Sequence, residues 1–324
     1  MKKKLLYTTW MLLLGIRVLA QDPHFTQFDY APFSVNPAFT GAFYGTTRVI
    51  TNYRNQWGNI SSPFSTAALS ADTKIYFNSE EGNKPLNLGI QLMNDQSMKG
   101  SFQSNYATLT SSYFVKLDYM GKHSLGVGLS GSYCSRRIDF SKLSFDQQFT
   151  LNGFDLSLPT GEAAFQTMNP FVSVGAGLLY RREDSETGEF MDVGVSGYHF
   201  NKPVQTALAD KNQYVPMRIS AQVTYQKYLD DEIMINLKGL YQTQAEVNYY
   251  QLGLSAAKLL NENDDFVGAG VWYRTGDAIS PHIFLEYRKL LIGFSYDVAV
   301  NRLESGASAA QSMEVSLLWR LDRE

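Results

Sequence analysis

From about Thr47 to the end of the chain, apolar and polar residues alternate with a period of two, and no stretch of useful length repeats near 3.6. Such alternation puts one set of side chains on each face of an extended strand. In "VPMRISAQVTYQ", Met217, Ile219, Ala221, Val223 and Tyr225 share one face, and Arg218, Ser220, Gln222 and Thr224 the other. "EIMINLKGLYQ" sets Ile233, Ile235, Leu237 and Tyr241 against Asn236, Lys238 and Gln242. "LLIGFSYDVAV" and "MEVSLLWRL" repeat the pattern, with Ile292, Phe294, Val315 and Leu317 opposing Ser295, Asp297, Glu314 and Arg320. Segments of this kind begin near Thr47, Ser65, Leu86, Gln103, His123, Phe171, Gly188, Val215, Glu232, Val247, Asp265, Ala278, Leu290 and Ser308. That makes about fourteen strands with no helices between them, which excludes a parallel α/β arrangement.

Two soluble β-sandwiches would also alternate. Composition and link lengths separate the readings. Aromatic residues make up 14% of the chain and charged residues only 18%, yet no run approaches the ~20 apolar residues of a spanning helix. Transmembrane strands hide their hydrophobicity in this way. The longest links follow the fifth strand (about 139–170), the seventh (about 201–214) and the thirteenth (about 301–307). All are odd-numbered. In an up-and-down barrel with an even strand count, odd links share the outer end and both termini the periplasmic end. The sequence therefore predicts an all-β, transmembrane, antiparallel up-and-down barrel of about fourteen strands. Its outward face carries Leu, Val, Ile, Phe and Tyr, with Trp272 and Trp319 candidates near the rims; Trp272 lies on the glycine side of its strand, which leaves its direction open. Its lumen is polar, with Arg54, Arg218, Glu286, Arg288, Asp297, Glu314 and Arg320 facing inward. A lumenal charge is unfavourable unless paired or wetted, so these seven are expected to brace the wall or hold a plug.

Lys2, Lys3 and Lys4, the apolar run Leu5–Leu19 and the site Val18-Leu19-Ala20 form a signal peptide over residues 1–20. The next stretch, "QDPHFTQFDYAPFSVNPAFTG", follows neither period and is too aromatic for a solvated tail. Residues 21–46 are read as an N-terminal plug or hatch, and 47–324 as the barrel. Phe25, Phe28, Tyr30, Phe33 and Phe39 would anchor the plug, with Asn36, Pro37 and Ala38 making a turn against the wall.

That stretch and the "YRNQW" after it resemble the start of the PorP/SprF family of type IX secretion and gliding-motility membrane proteins. The resemblance continues through "MNDQSMKGSF", "SKLSFDQQF", "DVGVSGYHFNKP" and "GFSYDVAVNRL". The family pattern often has a His before the glutamate of the final strand, where this chain has Met313. The resemblance implies an outer-membrane barrel beside the type IX translocon. Its partner would be the secretion machinery or a secreted adhesin with a type B C-terminal domain. The Asn36-Pro37-Ala38 element also resembles the hatch of FadL-type fourteen-strand barrels, whose size this chain shares. A FadL-like conduit for a small hydrophobic molecule is the alternative function.

Other chemistry finds little support. A net charge of −3 offers no electrostatic footprint for nucleic acid. The lone Cys134 cannot form an internal disulfide, and the four histidines are too dispersed for a metal motif. No Ser beside a His sits in a Gly-x-Ser-x-Gly elbow. The pairs Gly126-Gly128, Gly175-Gly177 and Gly268-Gly270 lack the helix of a phosphate cradle and are read as sites of curvature or close approach. The expectation is a non-enzymatic protein without cofactor, metal or small-molecule substrate, whose partners are outer-membrane lipids and secretion proteins.

Overall fold

The structure, a computed structural model, describes residues 22–58, 62–77, 85–161, 168–205, 213–261, 265–300 and 311–321. The leader read over 1–20 and the link at 301–307 lie outside the described residues. Fourteen antiparallel strands close into a barrel. They are β1 Thr47–Gln56, β2 Phe64–Ile75, β3 Leu86–Ser97, β4 Phe102–Lys116, β5 His123–Ile138, β6 Phe171–Asp184 and β7 Glu189–Tyr198. The second half comprises β8 Arg218–Tyr228, β9 Ile233–Gln244, β10 Val247–Leu259, β11 Phe266–Arg274, β12 Ala278–Tyr287, β13 Leu290–Ala299 and β14 Gln311–Leu321. Each strand pairs with its sequence neighbour, and β1 closes on β14 from Thr47 opposite Leu321 to Asn55 opposite Met313.

Alternation sets the faces as the sequence predicts. Along β12, Ala278, Ser280, His282, Phe284 and Glu286 are buried inward, while Ile279, Ile283, Leu285 and Tyr287 are exposed outward. The same holds on β14, where Val315, Leu317 and Trp319 face out and Glu314, Ser316 and Leu318 face in. An apolar belt of this extent does not persist in water. No described helix is long and apolar enough to cross a membrane; the apolar belt is carried by the strands. The largest offsets in strand starts are at β8, read from Val215, and β14, read from Ser308 outside the described residues. At β8, Pro216 has no N–H for the ladder, so pairing begins at Arg218.

The structure settles the direction of Trp272. It faces inward, is 2% exposed and meets Phe28 with ring centroids 5.2 Å apart. The lumen is also less uniformly polar than expected: Ile50, Leu240, Trp272, Leu291 and Leu318 all point into it.

With fourteen strands, β1 begins and β14 ends at one rim, the terminus end, and the odd links lie at the other, the loop end. The β5–β6 link carries a two-rung hairpin, Phe149–Thr150 against Gly153–Phe154. The residues before β1 lie inside the barrel. They form two single 3-10 turns, Phe28–Tyr30 and Pro37–Phe39, flanking a one-turn helix, Pro32–Val35. Pro32 and Pro37 each open a turn at its first position, where a missing N–H leaves nothing unsatisfied. Segments this short are not stable helices alone. The wall holds them.

Candidate functional site: the lumenal seat of the N-terminal segment

Asn36 is the segment's firmest contact with the wall. It is fully buried, and its Oδ1 caps the following turn by accepting from the Ala38 N–H at 2.8 Å. Its Nδ2 donates to two wall carbonyls, Leu178 of β6 at 3.0 Å and Val195 of β7 at 3.3 Å. An amide reaches strand backbone only where the wall has no side chains in the way. Here Gly177 and Gly194 supply that opening, and a Cβ on Gly177 would overlap the Asn36 amide. On β5, a Cβ on Gly128 would overlap the main chain of Pro37 and Ala38. Two of the Gly-x-Gly positions thus serve close approach, whereas Gly126 and Gly268 are filled by the Phe114 and Phe284 rings. Gly177→Val should displace Asn36 and expose the segment to added protease, while the barrel still migrates as folded on unheated gels. An unchanged digestion rate would show that Asn36 does not hold the segment.

Around the rest of the segment the wall supplies matched groups. Ser196 and Tyr198 hydroxyls donate to the carbonyls of Val35 (2.5 Å) and Phe33 (2.7 Å). Asp72, paired with Arg48 at 2.9 Å, accepts the Gly41 N–H at 2.7 Å. Arg181, paired with Asp192 at 2.8 Å, donates to the Ala42 carbonyl at 3.0 Å. Lys238 pairs with Asp29. The aromatic residues occupy separate apolar seats. Phe25 packs with Ala31 and Ala68, Phe28 with Leu240 and Trp272, and Tyr30 with Ile50, Leu291 and Leu318. Phe33 covers Gly89, and Ala38 and Phe39 meet Leu179.

Nearer the loop end, charges converge on Thr26. Arg54 pairs with Asp297 at 3.0 Å and with Glu314 at 3.4 Å, and Arg274 pairs with Asp297 at 2.6 Å. All four are no more than 4% exposed. Two guanidiniums balance two carboxylates, which is the condition for holding charge away from water. Glu314 also accepts the backbone N–H groups of Thr26 (2.7 Å) and Gln27 (2.9 Å), and the Thr26 hydroxyl accepts from both arginines.

Of the seven charges picked from sequence, Arg54, Asp297 and Glu314 come together here. Glu286 and Arg320 form a separate two-bond pair at 2.6 and 2.9 Å near the terminus end. Arg218 lies 3.3 Å from Asp22 and donates to the Ser34 carbonyl at 2.9 Å. Arg288 is not lumenal. It occupies the exposed two-residue turn between β12 and β13 with φ of 50°, so the strand alternation ends before it. Arg274, Arg48, Arg181 and Asp22 were not singled out, although Arg274 and Arg48 share the inward parity of their strands.

Asp22, His199 and Ser173 form a further chain of hydrogen bonds. His199 Nε2 lies 2.7 Å from Asp22 Oδ2, and its Nδ1 lies 2.8 Å from Ser173 Oγ. A serine and a histidine therefore do meet, which sequence proximity did not show. The imidazole is turned the opposite way from an acyl-transfer triad, whose serine meets Nε2. Ser173 is also buried on a regular strand. The arrangement tethers Asp22. Burial alone would raise the Asp22 carboxyl pKa, but Arg218 and His199 outweigh burial and hold it far below the ordinary range.

His24 is kept neutral by burial and by the nearby Arg54 and Arg274, which push its pKa well below the usual value. Its ring packs on Tyr249 at 4.8 Å and its buried Nε2 has no partner among the described residues. Both shifts are downward, so the undocked segment binds more protons than the docked one. Docking should weaken as pH falls below about 6.5 through His24, and again below about 3.9 through Asp22. Protease protection of the segment should drop between about pH 7 and pH 5, and His24→Phe should flatten that drop. A pH profile unchanged by His24→Phe would remove His24 from this role.

A closed barrel with an apolar exterior and a lumen occupied by its own N-terminal segment defines a β-barrel membrane protein. The sequence matches the family described as type IX secretion system membrane protein PorP/SprF over residues 18–319, and the chain belongs to that family. Among solved structures it is similar to the toluene transporter TbuX of Ralstonia pickettii at 9% identity and TM-score 0.49, covering 90% of this chain and 93% of that one. It is also similar to the monoaromatic hydrocarbon channel CymD (10% identity, TM-score 0.48, 91% and 93% covered) and to a Pseudomonas aeruginosa FadL homologue (10%, 0.47, 88% and 92%). A search of curated proteins returned no match.

Proposed function

We propose that this protein is a non-enzymatic outer-membrane barrel of the type IX secretion and gliding system, exported by its leader. In this reading residues 22–46 plug the lumen, and the barrel's rims and links hold a secretion component or a secreted adhesin with a type B C-terminal domain. The plugged lumen is the observation that carries the reading. Beside the segment, the lumen keeps cavities of about 40 and about 20 Å³, enough for a few waters. A drug-sized ligand pocket is of order 300 Å³ or more. Among the described residues these two lumenal cavities are too small for a hydrophobic molecule with the segment in place, which weighs against the conduit alternative. Deleting the gene should block export or surface retention of one adhesin-like cargo and leave fatty-acid uptake intact, read by surface proteomics and by uptake of labelled oleate. Lost uptake with normal cargo retention would favour the conduit instead.

A further inference from the structure

The link between β7 and β8, described over 199–205 and 213–217, is rooted at both ends in the seat of the N-terminal segment. Tyr198, the last residue of β7, donates its hydroxyl to the Phe33 carbonyl at 2.7 Å, and His199 after it reaches Asp22 at 2.7 Å. From the other side, Arg218 at the start of β8 meets Asp22 at 3.3 Å and donates to the Ser34 carbonyl at 2.9 Å. Its guanidinium also lies over the Tyr198 ring at 4.4 Å. Gln244 of β9 joins the group: its Oε1 accepts the Asp22 N–H at 2.9 Å, and its Nε2 donates to the Pro216 carbonyl of the link at 3.3 Å. These four wall side chains are no more than 8% exposed. Two jaws thus close on Asp22, Phe33 and Ser34.

The first jaw is held in an unfavourable backbone state. His199 has φ of 62° and Lys202 φ of 44°, left-handed values that residues bearing a Cβ adopt at a penalty. What fixes them lies at the exposed rim. Where β7 ends, Asn201 replaces it as the neighbour of β6. Its Oδ1 accepts the Val174 N–H at 3.2 Å and its Nδ2 donates to the Val172 carbonyl at 2.7 Å, while the Phe200 N–H reaches the Val174 carbonyl at 3.2 Å. Asn201 is exposed, and its described bonds go to β6 and not to the segment. Water competes for bonds placed there, so their net worth is modest. Once they part, His199 is free to relax to negative φ. Rotation about its N–Cα bond then carries the imidazole off both Asp22 and Ser173.

We propose that the β7–β8 link is a releasable clamp on the N-terminal segment, with Asn201 on β6 as its latch. Drawing the link away from β6 opens the His199 jaw and frees the residues from Asp22 to Ser34. The inference rests on the seat described above and does not depend on the secretion reading.

The test digests the full-length barrel in detergent with chymotrypsin and follows cleavage after Phe25 and Phe28 by mass spectrometry. Both rings are no more than 3% exposed in the seated segment, so cleavage reports release. Asn201→Ala removes the latch without touching the segment. It should speed this cleavage about three- to tenfold, the range for losing one or two net hydrogen bonds, with heat-modifiable migration unchanged. Asn94→Ala is the control, because it removes another exposed side-chain bond near the same end, Asn94 to Asn105 at 2.8 Å, and should leave the rate as it was. An Asn201→Ala protein digested at the parent's rate would overturn the clamp. Equal acceleration by Asn94→Ala would overturn it too, by showing a general loosening of the rim. His199→Gly approaches from the jaw: glycine keeps the positive φ without penalty but loses both imidazole bonds. Adding Asn201→Ala to His199→Gly should then bring no further acceleration, and a full additional effect would overturn the route through His199. Should Asn201→Ala fail to insert, Asn201→Asp decides, since it keeps the acceptor for the Val174 N–H and loses the donor to Val172. Faster cleavage then supports the latch, and an unchanged rate overturns it.

Discussion

Removing Asp22 to Thr40 should leave an inserted barrel that conducts ions many-fold better than the parent in planar bilayers and no longer retains its secretion partner. The segment has no ladder of its own and is held by what it buries. Phe25, Phe28 and Phe33 are each no more than 3% exposed, and burying one such side chain contributes roughly 1.5–3 kcal/mol. The contacts of Asn36, Thr26 and Gln27 with the wall add to this. Deletion therefore empties a lumen whose remaining lining mixes Ser, Gln, Asn and paired charges with apolar seats such as Ile50, Leu240 and Trp272. Unchanged conductance would show that another part of the chain closes the barrel. A deletion protein that inserts only when the segment is supplied as a peptide would assign the segment to folding as well.

The second large effect is expected at Glu314. Replacing it with Met leaves Arg54 with Asp297, which it shares with Arg274 (itself also paired with Asp277 at 2.8 Å), and removes the acceptor of the Thr26 and Gln27 N–H groups. Breaking a buried ion pair from one side costs about 3–5 kcal/mol, so Glu314→Met should release the segment and lower the unfolding midpoint. Adding Arg54→Met restores charge balance between Arg274 and Asp297. The double variant should recover a good part of the loss, giving a coupling energy above about 1 kcal/mol in the double-mutant cycle. Losses that simply add would mean that Arg54 and Glu314 act independently.

How much of this was readable beforehand follows from where information sits in a barrel. Lipid on one side and a lumen on the other impose period two on every strand, so strand number and face were legible from residues such as Ile279, Ile283 and Leu285. Partnership was not. Alternation says that Asp72, Arg274 and Asp297 face inward, but only the closed sheet says which of them meet. The opposite error occurred at Arg288, where the strand's parity was extended into a two-residue turn. The direction of Trp272 stayed open because it lies on the glycine side of its strand while aromatic girdles are the common use of Trp in such proteins; here the ring is a seat for Phe28. The Asn36-Pro37-Ala38 turn could be read from its residue types. Its receptor was legible only in part: Gly177 belongs to a pair read as a site of curvature or close approach, but that it receives Asn36, together with Gly194, depends on strands far away in sequence.

The contact between Thr26 and Glu314 has a consequence for the order of assembly. These residues are separated by 288 positions, and Glu314 lies on the strand that must pair with β1 to complete the cylinder. Non-local contacts of this kind form late, because the loop they close must be ordered first. The stretch that is synthesised ahead of all the strands can thus settle only after the last strand has arrived. Until then its phenylalanines have no complete receptor and its backbone donors no carboxylate. A settled N-terminal segment is in effect a receipt for a finished barrel, and a nascent chain that stalls short of β14 would display that segment, unprotected, to whatever surveys the envelope.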